Sequence, residues 1–80
     1  MSERSKLIWR CRRGMKELDV LLLAYLERHY DGASAAERQA FHHLLELQDP
    51  QLYAYLIGRE IPTDEVVRRV VECIRAGLQP

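Results

Sequence analysis

Cysteine is scarce in this 80-residue chain: Cys11 and Cys73 are the only two, and no CxxC spacing exists. Two cysteines so far apart make no disulfide framework, which points to a reducing compartment. Long apolar runs are missing as well. None reaches the roughly 18–20 residues that cross a bilayer, and the N-terminus has no continuous apolar stretch of signal-peptide length. The expectation is a soluble, cytoplasmic protein with no direct membrane insertion. The four glycines are isolated from one another, so there is no glycine-rich cradle for a phosphate. Length is short too. Eighty residues allow one domain, spanning 1–80. Such a chain buries only about 60–65% of the surface its unfolded form exposes, for a stability on the order of 4–12 kcal/mol. One core fits, with little room left for a deep substrate cavity.

Net charge is absent overall but unevenly spread. Residues 1–16 carry six basic side chains against Glu3, a net of +5, and the remainder carries a net of −5. Such asymmetry suits either a solvated helix face or a surface for an acidic partner.

Apolar residues recur at helical rather than strand spacing throughout. A first helix is expected from about Glu3 to Arg12, with Leu7, Ile8 and Cys11 on one stripe. Gly14 breaks it and permits a tight turn. A second helix spans about Met15 to Tyr30; Leu18, Leu22, Tyr25 and Leu26 share a face that Leu21 and His29 widen. This helix is the expected spine, ended by Asp31-Gly32. Ser34-Ala35-Ala36-Glu37 reads as a capping box opening a third helix with Phe41, Leu44 and Leu45 inside. Asp49-Pro50 should start a fourth, with Asp49 as N-cap and Pro50 as first helical residue. It carries Leu52, Tyr55 and Leu56 and stops at Gly58. Ile61-Pro62 is extended. Thr63 then caps a fifth helix with Val67, Val70, Val71, Ile74 and Leu78 on its apolar face, and Gly77 and Pro80 finish the chain. The fold class is all-α: a single compact bundle of about five short helices.

Few residues suit chemistry. His29, His42 and His43 invite a zinc site, which needs ligands within about 2–2.3 Å of one point. Adjacent His42 and His43 diverge by about 100° around a helix, and no cysteine stands at ligand spacing to them. Ser34 and Thr63 are accounted for as caps, and no setting for paired catalytic carboxylates is visible. No enzyme emerges, and no metal or stably held cofactor is expected. The tract Arg10-Cys11-Arg12-Arg13-Gly14-Met15-Lys16 resembles a nucleic-acid arm in charge alone, with Trp9 the one nearby stacking aromatic.

The most informative stretch is Arg13-Gly14-Met15-Lys16-Glu17-Leu18-Asp19. A purely structural account puts Arg13 at the negative end of helix one, Gly14 in the turn, and Glu17 and Asp19 at the positive start of helix two. That account does not explain why so much hydrogen-bonding capacity surrounds one turn. Arg and Glu a turn apart around a glycine make a compact two-signed patch suited to a protein partner.

Arg13-Gly14-Met15-Lys16-Glu17 fits the RGxxE motif of the SdhE-type flavinylation factors, called succinate dehydrogenase assembly factor 2 in mitochondria, and the chain resembles that family. Trp9, Cys11-Arg12 and Leu18-Asp19 flank the motif suitably. Tyr30-Asp31, Leu44-Leu45-Glu46 and Asp49-Pro50-Gln51-Leu52 follow in family order, so the resemblance covers about residues 6–78. It implies a five-helix bundle that is a non-catalytic, monomeric assembly factor. Its partner is the flavoprotein subunit of succinate dehydrogenase, and also that of fumarate reductase. FAD is then the client's cofactor, joined covalently to a client histidine. Arg13, Gly14 and Glu17 are implied as the docking patch, bordered by Arg12, Met15 and Lys16. The favoured mechanism is conformational, the factor selecting a client state in which histidine and flavin meet; delivery of FAD ranks below it. The rivals are a small helical nucleic-acid-binding protein using the basic N-terminus, and a generic helical adaptor.

Overall fold

The computed structural model describes residues 2–78, with the side chain of Leu78 left aside. The expected places of Leu78 on the fifth helix's apolar face and of Pro80 at the chain end therefore lie outside the described residues. Among those described, five α-helices and no strand are present: α1 (Glu3–Cys11), α2 (Lys16–Arg28), α3 (Ala35–Glu46), α4 (Asp49–Leu56) and α5 (Glu65–Arg75), followed by a 3₁₀ turn at Ala76–Leu78. The all-α bundle expected from periodicity is the observed one.

Local chemistry sets most helix starts. Ser2 caps α1 by accepting from the Ser5 amide at 3.1 Å. Ser34 accepts from the Glu37 amide while the Glu37 carboxylate accepts from the Ser34 amide, completing the expected capping box. Two starts differ from expectation by one residue. Asp64, not Thr63, caps α5, accepting from Val66 and Val67; its carboxylate adds a favourable charge that a threonine hydroxyl lacks. At α4 the N-cap is Gln48, and Asp49 and Pro50 are already helical. Asp49 does not cap because its carboxylate is engaged by Arg13.

α5 packs against α2, α3 and α4, while α1 leans on α2. The spine role expected of α2 alone is therefore shared: α2 buries Leu18, Leu21, Leu22, Tyr25 and Leu26, and α5 inserts Val70, Val71 and Ile74. Phe41 sits at the centre with no exposed surface, its ring 4.7 Å from that of Tyr25. His29 does not widen the buried face. It caps α2 and is exposed, because the helix stops at Arg28.

Candidate functional site

The junction between α1 and α2 is a four-residue loop, Arg12 to Met15, held from both sides. The Arg13 amide donates to Asp19 Oδ1 at 2.7 Å, tying the loop to the first turn of α2. The Arg13 side chain turns inward and is 13% exposed. Its Nε donates to Asp49 Oδ1 at 2.5 Å, one terminal nitrogen donates to the Leu45 carbonyl at 2.9 Å, and the other to the Leu47 carbonyl. Leu45 is in the last turn of α3 and Leu47 is its C-cap. Carbonyls there lack partners within their own helix and carry the negative end of its dipole. A guanidinium fits this setting because its rigid fork offers several donors at once.

Arg13 does end a helix favourably, but the helix is α3 rather than α1. The partners that claim it lie 32 to 36 positions away, beyond the reach of any local pattern. Gly14 adopts φ 87°, the left-handed turn expected of it, where a side chain is disfavoured. A Cβ at Gly14 would meet nothing within 4 Å, so its outer side is open. Arg12, Met15, Lys16 and Glu17 are all exposed. The structure thus brings the six predicted residues to one turn but divides them. Arg13 faces inward, and the two signs displayed outward come from Arg12, Lys16 and Glu17.

Asp19 and Asp49, which hold the loop, are in the sequence helix-start residues and parts of the family pattern, with no link to Arg13. Their clustering with Arg13 has no sequence signal beyond the excess of complementary charge. Trp9 is 67% exposed and lines a shallow surface groove with Ser5, Ile8 and Arg12.

The basic N-terminal tract does not form a continuous cationic arm. Arg4 pairs with Asp31 at 3.0 Å, Arg10 donates to His42 Nδ1 at 3.4 Å, and Arg13 is internal. The histidines separate similarly. His42 Nε2 lies 2.8 Å from the Tyr30 hydroxyl, His29 packs beside Tyr25, and His43 is exposed in a groove with Asp64 and Val67. Among the described residues no three potential ligands gather as a metal would require. No described helix is long and apolar enough to cross a membrane.

Comparison with known proteins supplies an independent line. Residues 5–77 match the model of the family Sdh5, described as "Flavinator of succinate dehydrogenase". A protein of Methylococcus capsulatus named FAD assembly factor SdhE is 45% identical over 76 residues, covering 95% of this chain and 92% of the relative. Proteins of the same name are 44% identical in Legionella pneumophila strain Paris (91% of each chain) and 38% identical in Pseudomonas aeruginosa (99% and 94%).

Proposed function

The chain belongs to the succinate dehydrogenase flavinator family, and from that premise we propose that it promotes covalent attachment of FAD to a histidine of the dehydrogenase's flavoprotein subunit. The observation that carries the reading is the α1–α2 junction: a loop fixed from within by Arg13 that holds Arg12, Met15, Lys16 and Glu17 outward around the open side of Gly14. A two-signed patch on a held loop favours a specific protein partner over a generic anionic one, because it rewards complementary charge in one register. The flavoprotein of fumarate reductase is a second client on the same reading. The factor works as a cytoplasmic monomer, keeps no FAD of its own and supplies no catalytic group.

Its contribution is conformational. Flavin attachment needs the client histidine and the flavin in near-attack geometry. A factor that binds this client state preferentially raises its population, about tenfold for each 1.4 kcal/mol of preference. The chain's own residues therefore dock and orient; the bond forms between client and flavin.

The test is a pull-down with the tagged chain from cells making the client subunit, followed by detection of covalently bound flavin in the captured protein. Capture of the flavoprotein subunit, with covalent flavin falling when the factor is deleted, is expected. Capture of nucleic acid with steep salt dependence, and no flavoprotein, would overturn the reading.

A further inference from the structure

Asp49 lies 36 positions beyond Arg13, at the start of α4, yet its carboxylate forms an ion pair with the guanidinium. That carboxylate does not cap α4: Gln48 occupies the cap position without a side-chain cap bond, and Asp49, already helical, accepts from no α4 amide. The side chain is instead directed at Arg13, whose two terminal nitrogens donate to the Leu45 and Leu47 carbonyls. These three contacts orient the guanidinium on both sides of the α3–α4 corner. The fourth, from the Arg13 amide to Asp19, fixes the backbone next to Gly14. Resting on the docking function above, we propose that Asp49 is a positioning residue for the client. Through Arg13 it sets the conformation in which Gly14 to Glu17 meet the flavoprotein, and Arg13 acts from inside the fold.

This assignment separates two roles that the RGxxE pattern merges. If Arg13 swung out to contact the client, Asp49 would compete for it, and removing Asp49 would preserve or improve docking. If Arg13 is an internal anchor, removing either partner loosens the same loop, and the double variant is no worse than the singles, because residues in one network do not add.

The experiment has two arms. In the free protein, amide hydrogen exchange at Arg13 and Gly14 is followed in wild type, Asp49→Ala and Arg13→Ala. With client and FAD present, the factor concentration giving half-maximal flavinylation is measured for the same set, for Arg13→Ala/Asp49→Ala, and for Asp49→Asn, which retains an oxygen toward Arg13 Nε. Asp49→Ser, suited to a helix start, replaces the alanine variant if that one does not fold.

Faster loop exchange in both single variants is expected. Half-saturation should rise roughly tenfold, as for one lost charge-assisted contact, with no further rise in the double variant and recovery of most of the loss in Asp49→Asn. Unchanged exchange in Asp49→Ala overturns the proposal. So does faster exchange with unchanged half-saturation, and that result leaves the flavinylation function standing. A wild-type chain without effect on the client defeats the function itself, and the positioning role with it.

Discussion

Arg13, Gly14 and Glu17 are neighbours in sequence but meet different surroundings. Gly14 has φ 87° with open space where a side chain would project. Only the left-handed backbone opposes substitution, by about 1–2 kcal/mol. Gly14→Arg is therefore expected to keep its helical circular dichroism while losing client flavinylation, since an unpaired guanidinium in the proposed interface costs several kcal/mol of binding. Glu17→Ala removes one contact without adding a clash and should lower flavinylation less. The glycine's role was legible because a break between two helical stripes demands one; the inward turn of Arg13 was not, because its acceptors arrive from the α3–α4 corner.

Cys11 is a core thiol, and Cys73 is half-buried against the same core. Cys11 is fully buried, and burial first, then the charge of Asp19, pushes its thiol up to about 11 from the ordinary 9.0. A folded value above the unfolded one means stability is complete below the ordinary value and is lost as pH rises through about 11. Denaturant melts between pH 8 and 11 should show this decline in wild type and a shallower one in Cys11→Ala. Cys11→Ala and Cys73→Ala should both leave flavinylation intact, and a folded cysteine variant that loses it would reveal thiol chemistry.

At the scale of the helix, caps decide the boundaries. The Ser34–Glu37 box spans three positions and was legible for that reason. The α4 and α5 starts each slipped by one residue: Arg13 draws the Asp49 carboxylate away and leaves Gln48 at the cap position with no side-chain cap bond, and the charged carboxylate of Asp64 takes the first amides of α5 in place of the Thr63 hydroxyl. Ser34→Ala should destabilise the protein by about 1 kcal/mol at neutral pH, read from the denaturant midpoint. Hydrogen bonds from the Ser34 backbone and then its side chain hold the Glu37 carboxyl below its usual range. That stabilisation is present above the ordinary carboxylate value and lost as pH falls, so Ser34→Ala should also flatten the acid limb of the stability profile.

Over the whole molecule, a small core makes the fold depend on few residues. Phe41 joins α3 to Tyr25 and Tyr30, and Phe41→Ala should cost about 3–5 kcal/mol, a large share of a total on the order of 4–12 kcal/mol. Circular dichroism should show a sharply lowered melting temperature or a largely unfolded chain. The bundle and most of its core were legible because helical periodicity is a whole-chain signal. Which charges point outward was not, since it depends on how α1, α3 and α4 meet. The most direct measurement mixes the purified apo client subunit with FAD and reads covalent flavin by fluorescence in a denaturing gel, with no factor, with wild-type chain, and with folded Gly14→Arg. The account predicts rapid attachment with wild type and near-background attachment with the variant. Attachment equal with and without the wild-type chain, or full attachment with folded Gly14→Arg, would contradict it.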